Sequence, residues 1–158
     1  MDATQRPLTD TELDTIMKAL IAERDTHGSP VLALSASFPT RLYIFTKSQR
    51  GDVVVFTDNG VLAGILMFSV GGLWWSDKPM LFEELVLSVG TLPGVQREAI
   101  KALNHLAKEL GCSLIAAGCL IQEKPQMVMN GYRKDGFTIL NPMCIKLVDG
   151  GDKPCSHT

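Results

Sequence analysis

The sequence predicts an α/β (α+β) domain with a mixed, mostly antiparallel sheet, one parallel crossover pair and flanking helices. Two observations predict it. Residues 29–89 hold β-rich runs separated by turn residues, and residues 81–120 read as strand, helix and strand. A strand–helix–strand crossover places its two strands parallel. The length of 158 residues fits one domain, which we place at 1–150, followed by a polar tail at 151–158 that we expect to be flexible.

An amphipathic helix is predicted near the N-terminus. Thr9-Asp10-Thr11-Glu12 forms a capping box, in which Thr9 accepts from the backbone three residues on and Glu12 reaches back. Apolar residues then recur at helical spacing, at Leu13, Ile16, Met17, Leu20 and Ile21. The pattern fades near residues 27–28, so the helix has about four turns.

An antiparallel meander is predicted next. The β-rich runs cover residues 31–35, 41–47, 53–57, 61–70 and 81–89. Asn59-Gly60 lies between two of them, which indicates a tight hairpin, because a type I′ turn needs positive φ at both central residues. Residues 29–89 are therefore expected to form an antiparallel meander.

The second half alternates helices and strands. After the loop at 90–94 comes a helix with the apolar face Val95, Ala99, Ile100, Leu103, Leu106, Ala107 and Leu110. Gly111 stands where a left-handed cap belongs. A strand at 113–120 follows, then a short helix with Pro125 in its first turn and Gly136 at its end. Strands at 137–140 and 143–148 close the domain.

Charge and composition exclude some classes of partner. The chain has 15 Lys and Arg against 17 Asp and Glu, with no basic run. Nucleic acid is therefore not expected as the partner, since neutralising phosphates supplies most of that affinity. The longest uncharged stretch, 60–76, is shorter than the ~20 apolar residues of a membrane span and contains Gly71-Gly72. No membrane association is expected.

The cysteines, the histidines and the charge content give further expectations. The four cysteines form no CxxC pair and the polar N-terminus lacks a signal-peptide core, so reduced thiols and a cytoplasmic location are expected. The histidines show no metal-ligand spacing, so no metal is expected. Charged residues make up 20% of the chain where about 25% is usual, which favours a subunit interface and hence a homodimer.

The loop between the strand ending at Val89 and the next helix is the clearest candidate site. A glycine turn leading into a helix N-terminus presents backbone N–H groups and a positive dipole end, which suit a phosphate or pyrophosphate. Many strand-to-helix loops carry Gly and Pro for steric reasons only, so the loop alone leaves both interpretations open.

The order of elements and two motifs resemble the GNAT superfamily of acetyl-CoA-dependent N-acyltransferases. In that family a late segment reads Tyr-x-Lys-x-Gly-Phe, which is matched in full by Tyr132, Lys134, Gly136 and Phe137. The family's loop reads Arg/Gln-x-x-Gly-x-Gly/Ala, and here Thr91, Gly94 and Gln96 occupy its signature positions. Thr91 replaces a basic or amide side chain, and Gln96 replaces a tiny residue. The resemblance covers roughly residues 50–148 and identifies the chain as a divergent member.

This resemblance implies acetyl-CoA as the co-substrate and assigns residues to hold it. The strand at 85–89 and the strand at 113–120 should splay apart to admit the pantetheine arm. Backbone groups of Leu87, Ser88 and Val89 would grip that arm and polarise the thioester carbonyl. The pyrophosphate would lie on the loop at Thr91 and on N–H groups of Gly94, Val95 and Gln96.

Direct attack by an amine also needs a general base. Glu83 and Glu84 lie on one strand and alternate between its faces. Glu83 shares the more apolar row with Leu81, Leu85, Leu87 and Val89, so it is expected to be the more desolvated carboxylate and is favoured as the base. Either could instead be an ordinary edge or ion-paired carboxylate. The resemblance gives Tyr132 the role of protonating the departing thiolate of CoA.

Two functions remain open at this point. The first is an N-acyltransferase that moves an acetyl group from acetyl-CoA to a primary amine of a small molecule or protein. The second is a catalytically inactive protein of the same fold that binds a partner protein, as an inhibitor, an assembly component or a virion-type component of phage-like origin. Trp74 and Trp75 would line that partner surface or the core rather than a ligand groove. Thr91 and Gln96 favour the second function, and the segment from Tyr132 to Phe137 favours the first.

Overall fold

A computed structural model describes residues 1–27, 52–72, 74, 77–90, 92–118 and 125–138. These residues form the strands β1 (Asp2–Gln5), β2 (Val53–Asp58), β3 (Val61–Gly72), β4 (Pro79–Ser88) and β5 (Leu114–Ala116), and the helices α1 (Asp10–His27), α2 (Val95–Glu109) and α3 (Pro125–Lys134). The strands lie side by side in the order β1-β2-β3-β4-β5. All neighbours are antiparallel except β4 and β5, which are parallel and joined through α2. The predicted fold class is confirmed.

The strands predicted at 31–35, 41–47 and 143–148 lie outside the described residues. The strand predicted at 137–140 is only partly described, and Phe137 and Thr138 lie in no strand. The N–H of Phe137 bonds instead to the carbonyl of Tyr132, at 3.0 Å, at the end of α3. No helix in the described ranges is both long and apolar enough to span a bilayer.

The capping box at the start of α1 forms as predicted. The N–H of Glu12 donates to Thr9 Oγ1 at 3.2 Å, and the N–H of Thr9 donates to Glu12 Oε2 at 2.8 Å. Arg6 donates to both carboxylate oxygens of Glu12, at 2.8 and 2.6 Å. These hydrogen bonds, with that from Arg6 the largest cause, lower the pKa of Glu12 to about 2. The carboxylate thus fixes the chain entering the helix.

Strand β1 was not predicted from the sequence. Its residues pair with β2 from Asp2 opposite Thr57 to Gln5 opposite Val54, and all four are exposed. An edge strand with both faces in water needs no apolar alternation, so its only signal is the backbone ladder itself. Composition could not reveal it.

The β2–β3 hairpin turns at Asn59 and Gly60, whose φ values are 51° and 79°. Positive φ at both central residues is the type I′ geometry that Asn-Gly predicts. Strand β2 is buried on both faces from Val53 to Phe56, which explains why this run shows no alternation of apolar and polar residues.

The sheet separates two apolar clusters. The cluster on the side of α1 contains Leu8, Leu13, Ile16, Leu20, Val53, Val55, Ile65, Met67 and Leu87. The cluster on the side of α2 and α3 contains Val54, Phe56, Ala63, Leu66, Phe68, Leu81, Val86, Val95, Ala99, Ile100, Leu103, Leu106, Ala107, Val128 and Tyr132. The second is the larger, and it carries the candidate site on its border.

Gly64 marks a close approach of β3 to β4 and to the start of α2. A Cβ placed there would lie 2.4 Å from the carbonyl oxygen of Leu87 and 2.8 Å from Val95 Cγ1. We expect Gly64→Ala to lower the free energy of unfolding by about 1–3 kcal/mol, because the backbone of β4 must shift. Thermal or urea unfolding measures this change. Gly72→Ala is the matched control in the same strand, because nothing lies within 4 Å of its Cβ position. Equal stability of the two variants would contradict the close approach.

Candidate functional site

Strand β4 contains a β-bulge at Glu84. Glu83 pairs with Phe68 and Leu85 with Met67, so Glu84 is an extra residue with no counterpart in β3. A bulge shifts the alternation of side chains by one residue. Accordingly Leu81 packs in the cluster of α2 and α3, whereas Leu87 packs in the cluster of α1. The predicted single row from Leu81 through Glu83 to Val89 is therefore wrong.

The bulge places the two glutamates in different surroundings. Glu83 is half-buried and points toward α3, where it accepts a hydrogen bond from the hydroxyl of Tyr132. Glu84 is exposed and accepts from the hydroxyl of Ser69. The predicted difference in burial between the two carboxylates is thus present, although α3 rather than an apolar row on β4 covers Glu83.

The pairing of strands β4 and β5 ends beside Glu83. Their parallel pairing runs from Met80 opposite Leu114 to Phe82 opposite Ala116 and ends there. Ala117 and Gly118 are described and lie in no strand, so β5 is shorter than the predicted 113–120. The N–H of Gly118 donates to the carboxylate of Glu83 instead of joining a ladder. The expected splaying of residues 85–89 from this segment involves residues that follow Gly118 and lie outside the described part of the chain, so it stays a prediction.

Tyr132 is held in place by the end of α3. The N–H of Phe137 bonds to the carbonyl of Tyr132 and the N–H of Gly136 to the carbonyl of Arg133, at 3.0 and 3.1 Å, and Gly136 has φ 91°. This is a Schellman cap, which needs glycine at the position of positive φ and an apolar contact across the turn. The rings of Tyr132 and Phe137 supply that contact, with centroids 5.0 Å apart. Tyr132, Gly136 and Phe137 of the Tyr-x-Lys-x-Gly-Phe motif thus together form the C-terminal cap of α3.

The environment of Glu83 suits a general base. Burial raises the pKa of its carboxyl group to about 7, and the hydrogen bonds from Tyr132 and Gly118 oppose this shift. A base with a pKa near the working pH is present in its ionised form and still accepts a proton readily. No charged side chain among the described residues contributes to the shift. Its carboxylate is thus tuned by burial and two neutral donors.

The start of α2 has the geometry of an anion site. Gly94 is its N-cap with φ 106°, and no side chain in the described part of the chain makes a cap hydrogen bond there. The first N–H groups of an α-helix have no intrahelical partners, and the helix dipole favours negative charge there. A Cβ on Gly94 would lie 3.7 Å from an Arg97 guanidinium nitrogen, so a positive charge is close. Thr91 lies outside the described residues.

Val95 and Gln96 occupy the first two positions of α2 and differ in burial. Val95 is 1% exposed and packs onto the sheet. Gln96 is half-buried, and its side-chain nitrogen is buried. The backbone N–H groups of these residues lie in the first helical turn, as the phosphate hypothesis requires.

In β4 next to this loop, the backbone N–H and C=O groups of alternate residues point toward β3 and away from it. The N–H of Val89 donates to the carbonyl of Ala63 at 2.7 Å, so it is committed to β3. Alternation along an antiparallel strand then directs the backbone of Leu87 toward β3 and the N–H of Ser88 away from it. Of the three residues expected to grip a pantetheine arm, Ser88 therefore has the best orientation.

Trp74 lies in the hairpin between β3 and β4 and is 92% exposed. Trp74 is therefore not a core residue, and the core alternative now concerns only Trp75, which lies outside the described residues. The hairpin is at the N-terminal end of β4, whereas Gly94 follows its C-terminal end. Trp74 thus lies at the end of β4 opposite the anion site.

Sequence reasoning missed the bulge at Glu84, the donor role of Gly118 and the proximity of Arg97 to Gly94. A bulge is a property of the pairing between strands, and no local residue pattern in β4 signals it. Gly118 acts through its backbone N–H, which every residue except proline has. Arg97 gave no clear signal, because its ion pair with the adjacent Glu98, at 3.3 Å, accounts for a basic side chain in the first turn of the helix.

Comparison with known proteins gives the fold. No protein-family model and no curated protein matches the sequence. Solved structures do match. A probable acetyltransferase aligns over 94% of this chain and 99% of its own, with a TM-score of 0.66 and 14% identity. Ribosomal-protein-alanine N-acetyltransferase from Brucella melitensis biovar Abortus 2308 aligns over 93% and 100%, with a TM-score of 0.64 and 11% identity.

A third match is AAC(6')-Iy in complex with a bisubstrate analogue, CoA-S-monomethyl-acetylneamine. It aligns over 94% of this chain and 99% of its own, with a TM-score of 0.60 and 14% identity. Identities this low show the architecture and leave substrates open. From its strand order, its crossover helix and these likenesses, the chain has the fold of the GNAT-type acetyltransferases.

Proposed function

We propose that this protein is an N-acetyltransferase that moves the acetyl group of acetyl-CoA to a primary amine by direct attack in a ternary complex. The observation that carries the proposal is the position of Glu83. Its half-buried carboxylate is held by Tyr132 and Gly118 at the end of the β4–β5 pairing. A candidate general base thus lies where the pairing of β4 and β5 ends, which is where the proposal places the slender pantetheine arm.

The residues present fit acetyl-CoA at two independent points. The uncapped start of α2, with Gly94 at φ 106° and Arg97 beside it, suits an anionic diphosphate. The N–H of Ser88 points away from β3, on the side of β4 where no strand partner for Ser88 occurs among the described residues, and this orientation suits the amide groups of a pantetheine arm. Bound there, acetyl-CoA supplies an acetyl group activated as a thioester.

Each catalytic role follows from the surroundings of its residue. Glu83 accepts the proton of the attacking amine, because its pKa of about 7 leaves it largely ionised just above neutral pH. The hydroxyl of Tyr132 provides a proton for the sulfur of the leaving thiolate. Glu84 takes no part, since it is exposed on the other face and bonded to Ser69.

A thermal-shift titration with acetyl-CoA tests the binding step. A ligand at one hundred times its Kd stabilises the folded state by ~2.7 kcal/mol, which raises the Tm by several degrees. The same titration with N-acetylcysteamine acetyl thioester, which lacks the diphosphate, is expected to give a much smaller shift. No shift at millimolar acetyl-CoA would overturn the proposal.

Acetyl transfer is tested by release of free CoA thiol with a panel of amines. The panel has two groups of amines, chosen from the names of two structural neighbours, an aminoglycoside acetyltransferase and a ribosomal-protein-alanine N-acetyltransferase. We therefore include an aminoglycoside and a peptide with an N-terminal alanine.

An exposed tryptophan favours a second candidate function, which is binding of a partner protein without catalysis. Trp74 exposes 92% of its surface in a hairpin, and tryptophan is enriched among residues that dominate interfaces. Absence of an acetyl-CoA shift, together with loss of a homodimer or complex on Trp74→Ser in light scattering, would support this function instead of the transferase.

A further inference from the structure

The hydroxyl of Tyr132 is already engaged by Glu83, which bears on its role as an acid. A tyrosine hydroxyl has one proton to donate, and an ionised carboxylate can only accept. The contact between Tyr132 Oη and Glu83 Oε2 therefore uses the only proton that Tyr132 has. While Glu83 is ionised, Tyr132 has none to offer a second acceptor.

We propose that Glu83 and Tyr132 form a one-directional proton relay, in which Tyr132 protonates the leaving sulfur only after Glu83 has taken a proton from the attacking amine. This inference rests on the proposed function. It places deprotonation of the amine by Glu83 before protonation of the sulfur by Tyr132. The proton that Glu83 takes from the nitrogen then replaces the one that Tyr132 gives to the sulfur.

Protonation of Glu83 reverses the hydrogen bond between the two groups. A protonated carboxyl group is a donor, so Glu83 then donates to the oxygen of Tyr132 and the tyrosine proton becomes available to another acceptor. The backbone N–H of Gly118 continues to hold the carboxyl group in place. The arrangement thus switches without movement of either side chain.

Burial makes Glu83 the source that restores Tyr132. Tyr132 is 2% exposed, packs against Phe137 and is fixed by the cap of α3. Bulk water has little access to a side chain this buried, whereas Glu83 is in direct hydrogen-bond contact. A pKa of about 7 lets the carboxyl group both take up and release a proton at neutral pH.

The steps balance in atoms and charge. Glu83 takes a proton from the amine nitrogen as the bond between nitrogen and the acetyl carbon forms. Tyr132 gives its hydroxyl proton to sulfur as the bond between carbon and sulfur breaks, and Glu83 passes its proton to Tyr132. One proton has moved from nitrogen to sulfur, and both residues return to their starting forms. An acceptor that arrives as an ammonium ion first loses one proton to solvent.

A double-mutant cycle with Glu83→Gln and Tyr132→Phe tests the relay. The glutamine side chain still accepts the hydrogen bond from Tyr132 but passes on no proton. The hydroxyl proton of Tyr132 therefore stays in that hydrogen bond. We therefore expect each single variant to lose about 10²–10³-fold in kcat, and the double variant to lose no more than about 3-fold beyond the slower single one. Losses that multiply to about 10⁴–10⁶-fold would overturn the relay.

The pH profile of Tyr132→Phe separates a relay from a purely positioning role. Loss of its hydrogen bond raises the pKa of Glu83 in either case, because that bond lowers it in the wild type. A relay predicts that kcat stays low even on the alkaline plateau, where Glu83 is fully ionised. A plateau restored to the wild-type value would show that Tyr132 only positions Glu83, and would overturn the proposal.

Wild-type controls distinguish the failure of the relay from that of the proposed function. An inactive wild type that shows no acetyl-CoA shift rejects both proposals. An active wild type with multiplying losses rejects the relay alone. All three variants are expected to keep the wild-type shift with acetyl-CoA, since neither side chain lies at the start of α2. Circular dichroism confirms that each is folded.

Discussion

Glu83→Gln is expected to lower kcat by about 10²–10³-fold and, at the same time, to stabilise the protein above pH 7. The loss of activity follows from removal of a positioned general base. In the wild type, kcat/KM is expected to rise with pH through a limb near 7, where Glu83 ionises. The amide does not titrate, so this limb disappears in the variant.

The gain in stability follows from the direction of the pKa shift. Burial raises the pKa of Glu83 from 4.5 to about 7, so between these values the folded state holds a proton that the unfolded state has lost. Stability therefore falls as pH rises through this window, and the full penalty is present above pH 7. One pKa unit corresponds to 1.36 kcal/mol, and partial exposure reduces the effect, so we expect a gain of about 1–2 kcal/mol.

Urea unfolding at pH 5 and pH 8 measures this difference, and a steady-state assay measures kcat. Glu84→Gln is the matched control, because Glu84 is the adjacent residue, exposed and bonded to Ser69. It is expected to change kcat by less than about 2-fold and to leave the pH dependence of stability unaltered. Similar losses of kcat in both variants would contradict the assignment of the base to Glu83.

Local signals in the sequence predicted the helix ends and the hairpin correctly. Thr9 and Glu12 cap α1, and Gly111 and Gly136 end α2 and α3 with φ of 65° and 91°. Each motif acts within about six residues, so the neighbouring sequence determines it. The parallel pair β4–β5 was also predictable, because a crossover helix leaves little other choice of topology.

The details of the site depend on contacts between distant residues, which local patterns do not contain. The bulge at Glu84 arises from the pairing of β4 with β3 and reverses the faces of Leu85 and Leu87. The partner of Glu83 comes from Tyr132, 49 positions later in the chain. Alternation alone predicted that Glu83 is the more buried glutamate, but it gave the wrong surroundings. The functional roles of both residues stay predictions.

Gly94→Trp is expected to remove the thermal shift caused by acetyl-CoA, to less than about 1 °C, while the protein stays folded. The nearest atom that a Cβ at this position would meet is an Arg97 guanidinium nitrogen at 3.7 Å, so the Cβ itself clashes with no backbone atom. It would stand before the first turn of α2, where the diphosphate is proposed to lie, and block it. Binding is expected to weaken by at least about 100-fold, or roughly 2.7 kcal/mol.

Backbone strain accompanies this substitution and needs its own control. Gly94 has φ 106°, and a residue with a side chain at positive φ costs about 1–3 kcal/mol. Gly111→Trp also places a side chain at positive φ, although φ 65° lies within the allowed left-handed region and costs less than φ 106°, and nothing lies within 4 Å of its Cβ position. It lies at the other end of α2, about 23 Å away for 15 residues at 1.5 Å each.

Gly111→Trp should therefore also lower the Tm, by less than Gly94→Trp does, yet keep the full shift with acetyl-CoA. Calorimetric titration of both variants gives the same comparison as a Kd. If Gly94→Trp bound acetyl-CoA as tightly as Gly111→Trp, the diphosphate would not lie at the start of α2. The Glu83–Tyr132 pair would then have no acetyl donor anchored beside it. Binding of a partner protein through the exposed Trp74 would become the better-supported function.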